Sequence, residues 1–186
     1  MELNVLKDEY STCSKCPELV DYRSQVVFGS KHMNKCPVMI IGEAPGKVED
    51  ENGEPFVGRS GQILNKFLEE IGLTRDKVFI TNTILCRPPE NRNPKSDELL
   101  HCRERLDKTI EILNPKVIIT LGNFATKYLL ETKEGITKVR GKVYEKNGRN
   151  IVPMAHPAVV LYNGSSEAIM TQFRADFSVV KGLLGN

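Results

Sequence analysis

Four apolar residues, Val38-Met39-Ile40-Ile41, run directly into Gly42-Glu43-Ala44-Pro45-Gly46, and this junction constrains the fold more than any other stretch. The run reads as a short strand buried on both faces. The turn cannot continue it: Pro45 fixes its own φ and lacks an N–H, while the glycines permit close backbone approach or a positive φ. In open α/β sheets, a turn at the carboxyl end of a buried strand is where ligands bind. Glu43 is the one ionisable side chain within it. An ordinary strand-to-helix connection is the plainer alternative. A Walker phosphate loop is excluded, because that motif needs four residues between its glycines and Ser or Thr after its lysine. Three residues separate Gly42 from Gly46, and Val48 follows Lys47.

The rest of the chain alternates strand and helix patterns around that junction. A glycine-punctuated loop from Glu49 to Gly61 carries one large aromatic, Phe56. Ile63, Leu64, Phe67, Leu68 and Ile71 then recur at helical spacing, with Gly72 in the position of a terminating glycine. Val78 to Leu85 reads as a second buried strand with Asn82 towards its end, and Cys86 to Pro94 as irregular. Ser96 is the expected cap of a helix with apolar positions Leu99, Leu100, Leu106, Ile110 and Leu113. Val117 to Gly122 is a third strand, followed by a helix from Asn123 to Leu130. Asn147-Gly148 is a hairpin signal between Lys142–Tyr144 and Ile151–Pro153. Ser165 or Ser166 caps a last helix. Near the start, Leu3, Val5 and Leu6 form the apolar side of a short helix, Val26 to Gly29 an edge strand, and His32 solvated surface. The alternation predicts an α/β protein, a three-layer α/β/α sandwich with a central, mostly parallel sheet, as a single domain over residues 1–186.

Composition narrows the function classes. With 40% hydrophobic and 27% charged residues the chain is globular rather than disordered. No apolar run approaches a membrane span, and the first residues lack a charged-then-apolar leader, so a soluble, cytoplasmic protein with no membrane partner is expected. A net charge of +2 neither demands nor excludes nucleic acid, since a local patch suffices. Five cysteines in such a compartment point to metal or catalysis more than to disulfides.

Two constellations carry chemistry. Cys13-x-x-Cys16 with Cys86 and Cys102 can enclose a tetrahedral metal or an iron–sulfur cluster, and the spacing alone leaves zinc and a cluster level. Cys36, beside a core strand, suits an inert buried thiol. The second constellation is Glu43, Asn82 and His156, each beyond a different apolar strand. Singly each has a plain structural reading. Together they converge on one sheet edge and mark a shared pocket.

In these motifs the chain resembles a family 4 uracil-DNA glycosylase, the iron–sulfur branch of that superfamily. The resemblance rests on Gly42-Glu43-Ala44-Pro45-Gly46, Glu49-Asp50, Gly53-x-Pro55-Phe56-Val57-Gly58-Arg59-x-Gly61 and Asn82. It continues through Cys86-Arg87-Pro88-Pro89-x-Asn91-Arg92-x-Pro94, His156-Pro157-Ala158 and the four cysteine spacings. It implies one [4Fe–4S] cluster on Cys13, Cys16, Cys86 and Cys102. It also implies a flipped uracil, stacked on Phe56, read by Asn82, and met at O2 by His156 and the N–H groups of the Gly42 to Ala44 turn.

The implied activity is monofunctional hydrolysis of the uracil N-glycosidic bond, the first step of base excision repair, on single- or double-stranded DNA. Glu43 is the expected water-orienting carboxylate, because Ala44 stands where family 1 enzymes carry an aspartate. Gly46 stands where those enzymes place the tyrosine that excludes thymine. The basic insert of the covalent uracil-binding branch is absent before Cys86. Arg87, Leu161 and Tyr162 are expected to contact DNA, the last two on an exposed loop that wedges into the gap left by the extruded base; a core-facing helix is the alternative there. A monomer is expected, and a sliding clamp is a partner the sequence leaves open. The rival readings are a glycosylase for another deaminated base such as hypoxanthine, and a non-catalytic iron–sulfur or zinc protein that binds nucleic acid.

Overall fold

The computed structural model describes residues 2–31, 36–164 and 166–185. Five strands form one sheet in the order β2-β1-β3-β5-β4: β1 Val38–Gly42, β2 Val78–Asn82, β3 Val117–Leu121, β4 Tyr144–Lys146 and β5 Arg149–Met154. The first three and β5 are parallel, and β4 is antiparallel to β5. Helices in chain order are α1 Leu3–Ser11, α2 Pro17–Tyr22, α3 Lys47–Asn52, α4 Arg59–Glu70 and α5 Ser96–Leu113. They are followed by α6 Asn123–Leu130, α7 Ile136–Val139, α8 Ala158–Tyr162 and α9 Glu167–Leu183.

The pleat sorts the strand residues into two cores, which makes the expected three layers. Val38, Ile40, Val78, Ile80, Val117, Ile119 and Val152 point to one face and pack under α4, α8 and α9. Met39, Ile41, Phe79, Ile118 and Ile151 point to the other and pack under α1, α5 and α6. Phe67 of α4 is the keystone of the first core, stacked on Phe173 at 5.2 Å and Phe177 at 5.5 Å between ring centroids. Because strands β1, β2, β3 and β5 run the same way, their carboxyl ends, and the turns after them, share one edge of the sheet.

Several local expectations hold. Gly72 has φ +81° just past α4, and Asn147 and Gly148 have φ 51° and 71°, the two positive values a tight hairpin turn needs. Others need correction. Val26 to Gly29 is not a strand; it runs along the outer edge of β2, held largely through side chains, with Thr81 Oγ1 donating to the Phe28 carbonyl and Ile80 N–H to Ser30 Oγ. The second strand stops at Asn82 rather than Leu85, because Thr83 and Ile84 N–H turn to the Gly42 and Glu43 carbonyls instead. Ser96 is the first helical residue, and the cap position falls to Lys95, whose N–H donates to Glu98. Leu100 is 65% exposed and Val5 55%, so neither belongs to the core.

The expected loop at Leu161 and Tyr162 is the short helix α8, since Val160 turns into the core and fixes the turn. Helices α2, α3 and α7 were not anticipated. The readings of His32 and of Ser165 as a cap lie outside the described residues; Ser166 occupies the cap position of α9. Among the described residues, no helix is long and apolar enough to cross a membrane.

Truncating the keystone tests this packing. Phe67→Ala should cost about 3–5 kcal/mol and lower the thermal midpoint by roughly 10 °C for a chain of this size, measured by circular dichroism melting.

Candidate active site

The turn after β1 and the end of β2 are adjacent because the two strands pair in parallel with Gly42 opposite Asn82. Thr83 reinforces the junction: its N–H donates to the Gly42 carbonyl at 3.0 Å and its hydroxyl to the Glu43 carbonyl at 2.6 Å. Gly42 is required here. A Cβ on it would lie 2.4 Å from Asn82 Oδ1 and 2.6 Å from two carbons of the Phe56 ring. The bare α-carbon therefore lets an amide and an aromatic ring approach one point. Asn82 is 1% exposed, and its Oδ1 is buried with no hydrogen-bond partner among the described residues. A buried, unsatisfied amide oxygen is costly unless a ligand donor meets it.

Phe56 is held there against its own backbone preference. It has φ 53°, a left-handed value that costs a non-glycine residue about 1–3 kcal/mol unless its surroundings impose it. Arg75 imposes it, donating through Nη1 to the Phe56 carbonyl at 2.9 Å and through Nη2 to the Pro55 carbonyl at 2.7 Å. Gly61 leaves room for the bend, since a Cβ on it would come within 1.8 Å of the Phe56 carbonyl oxygen. Glu49 Oε1 accepts the Val57 and Gly58 N–H groups at 3.0 and 2.8 Å and fixes the far end of the loop.

His156 reaches the same point from the end of β5, its ring centroid 5.6 Å from that of Phe56. Burial holds its pKa down to about 4, although the nearby Glu49 charge acts in the opposite direction. The imidazole is therefore neutral near pH 7. The Ala158 N–H donates to Nδ1 at 3.2 Å. In the neutral ring the proton then sits on Nε2, which becomes a hydrogen-bond donor. Glu43 is half-buried, and burial lifts its carboxyl above the ordinary value. Among the described residues its carboxylate takes no hydrogen bond, in contrast to Glu49. Ala44 packs against the second core.

The four sequence-flagged cysteines line one small enclosed pocket on the other side of the sheet, between α1, α2, α5 and the segment after β2. Arg23 Nη1 lies 2.8 Å from Cys86 Sγ, and His101 Nδ1 lies 3.3 Å from Cys16 Sγ. Burial first, and then the neighbouring Cys102, Cys86, Glu98 and Cys13, push the Cys16 thiol up to about 12. Four sulfurs lining one pocket are a donor set suited to a cationic core. Cys36 is buried in the same hydrophobic core but does not line this pocket.

The DNA-contact candidates are not gathered with the pocket. Arg87 stacks over Tyr22 at 5.2 Å and donates to Asn91 Oδ1 at 2.8 Å, on the cysteine side. Leu161 and Tyr162 follow His156 closely on α8, Leu161 half-buried and Tyr162 86% exposed. Sequence reasoning did not single out Arg75, Thr83 or Arg105, whose partners at the site include backbone carbonyls. The strain at Phe56 is testable without any ligand. Gly61→Ala should expel Phe56 from its left-handed conformation and cost about 2 kcal/mol or more, seen as a lower melting midpoint and a displaced Phe56 ring resonance.

Comparison with known proteins agrees with this geometry. The family described as the uracil DNA glycosylase superfamily matches residues 30–178. The type-4 uracil-DNA glycosylase of Sulfurisphaera tokodaii is 43% identical, over 97% of this chain and 84% of the relative. That of Pyrobaculum aerophilum is 41% identical, over 98% and 94%. That of Thermotoga maritima is 38% identical, over 89% and 86%. With a buried amide, a bent phenylalanine and a neutral histidine meeting at the sheet edge, and this likeness over nearly its whole length, the chain belongs to the type-4 uracil-DNA glycosylases of the uracil DNA glycosylase superfamily.

Proposed function

We propose that this protein hydrolyses the bond between uracil and deoxyribose in DNA, leaving an abasic site for repair. The observation that carries the reading is Asn82 Oδ1, buried without a partner beside the Phe56 ring over Gly42. An asparagine amide accepts from uracil N3–H and donates to O4 at once; cytosine presents the opposite pattern. Phe56 supplies the stacking face that replaces the base's lost neighbours in DNA.

The chemistry follows from charge. The C1′–N1 bond breaks with its electron pair on uracil, a water oxygen bonds to C1′, and the water's proton is released. Negative charge grows on uracil O2, and a fixed donor there stabilises the transition state by about 3 kcal/mol. His156 Nε2–H is that donor, with the backbone N–H groups of Gly42 and Ala44 beside it. Glu43, whose half-buried carboxylate takes no hydrogen bond among the described residues, orients the water and takes its proton. None of Gly42, Glu43, Phe56, Asn82 and His156 offers the amine that a covalent lyase step needs, which supports monofunctional hydrolysis.

Arg87 and the exposed Tyr162, with Leu161 behind it, are assigned to DNA. Since α8 turns Tyr162 outward, it becomes the first candidate for the wedge. No disulfide forms among the described cysteines, which suits a reducing cytoplasm.

Cys13, Cys16, Cys86 and Cys102 are assigned to a [4Fe–4S] cluster. When bound it supplies a crosslink between the N-terminal segment, the segment after β2 and α5. Four cysteines lining one enclosed pocket supply the all-thiolate set that a cubane takes.

The deciding experiment is release of free uracil from a uracil-containing oligonucleotide. Release supports the reading; hypoxanthine release with no uracil release favours the rival substrate, and binding without release favours the non-catalytic rival. The rate should be flat around neutral pH and fall as acid approaches the raised Glu43 pKa, where the carboxylate is protonated. Glu43→Gln should be slower and lose that limb. A profile unchanged in Glu43→Gln assigns the water to another group. Purified protein should be brown, with about four irons per chain; Cys86→Ala should lose them and Cys36→Ala keep them. Tyr162→Ala should slow excision most from paired U·A, less from U·G and least from single strands, because a wedge acts only where a stack has opened.

A further inference from the structure

Arg105 lies on α5 one turn after Cys102, on the same helix face, and is 0% exposed. A guanidinium does not shed its charge, so burying one is costly unless an opposite charge and good acceptors surround it. Its acceptors are good but neutral. Nη2 donates to the Asn82 carbonyl at 2.8 Å and the Thr83 carbonyl at 3.2 Å, and Nη1 to Thr81 Oγ1 at 3.2 Å. Its Nε has no hydrogen-bond partner, and among the described residues no carboxylate pairs with it.

We propose that Arg105 is a positioning residue with two tasks: its planar fork fixes the backbone of Asn82, and its charge is balanced by the thiolates that carry the cluster. The proposal rests on Asn82 reading uracil and on the four cysteines holding iron. Its geometry is a bridge. One guanidinium touches three consecutive residues at the end of β2 and sits one helical turn from a cysteine ligand. Four thiolates around a cubane leave a net negative group, the counter-charge that the contacts of Arg105 otherwise lack.

Two substitutions separate the tasks. Arg105→Lys keeps the charge and loses the fork; Arg105→Gln loses the charge. The readouts are iron release to a chelator and inhibition of excision by free uracil. Arg105→Lys should hold iron as the unaltered protein does but respond to free uracil about tenfold more weakly. Arg105→Gln should surrender iron about tenfold faster. If both variants lose thermal stability alike, with uracil inhibition and iron release unchanged, the proposal is overturned and Arg105 is a packing residue. Should either variant fail to fold, Thr81→Val removes one partner of the fork without touching the charge. It should weaken uracil inhibition at normal iron content, and unchanged inhibition overturns the positioning task. A parent protein that releases no uracil defeats the proposed function instead, and the iron arm still decides the charge task. A parent protein without iron defeats the cluster assignment and the charge task, while the uracil arm still decides the fork.

Discussion

The approach of an aromatic ring and an amide to a bare α-carbon is the constraint on which the site depends. Gly42 can stand between Asn82 and Phe56 only because it has no side chain. Both neighbours then need support, since neither position is a resting one. Asn82 is a polar side chain in a dry sheet edge, and Phe56 is bent into a backbone conformation that phenylalanine disfavours. The surrounding structure provides that support with hydrogen bonds to main-chain oxygens: Arg75 beneath Phe56, Thr83 beneath Glu43 and Arg105 beneath Asn82. Each is a donor spent on rigidity rather than on a ligand. The arrangement is thereby fixed by the fold itself, which is how strain and unsatisfied polarity persist at functional sites.

This division explains which parts were legible in the sequence. Glu43, Asn82 and His156 stand out because each is a polar side chain where an apolar strand ends. Their meeting at one edge then follows from parallel topology. The cysteines stand out by rarity and spacing. Arg75 and Arg105 do not, because each reads as an ordinary charge on a solvated surface or helix face, and a carbonyl partner leaves no trace in a side-chain pattern. The same gap explains Val26 to Gly29: its composition is that of a strand, but Thr81 and Ser30 side chains replace part of the backbone ladder that would have made it one. At α8, the apolar run preceding Asn163-Gly164 looked like a loop because the break follows so soon; burial of Val160 is enough to wind one turn.

The two halves of the molecule divide the work by sheet face. The α4, α8 and α9 side is aromatic and dry, and anchors His156 and the bent loop from below. The α1, α5 and α6 side buries more polarity, including Arg105, Thr109 and Thr126, beside the cysteine pocket. The threonines of that layer are satisfied locally, Thr109 by the Arg105 carbonyl and Thr126 by Thr120, whereas Arg105 Nε has no partner among the described residues.

The segment from Phe28 to Ser30 has a consequence beyond local structure. A mostly parallel sheet offers its outer strands as templates for other chains, and an open edge invites cross-chain pairing and aggregation. At one margin β4 is only three residues long. At the other, Ser30 and Phe28 engage the amide of Ile80 and the hydroxyl of Thr81, and the Val27 and Ser30 N–H groups take the carbonyls of Leu85 and Ile80. The bonds β2 would offer a neighbour are consumed by a strip of its own chain that is too irregular to serve as a template in turn. The failed strand thus blocks edge-to-edge pairing at Ile80, the middle residue of β2.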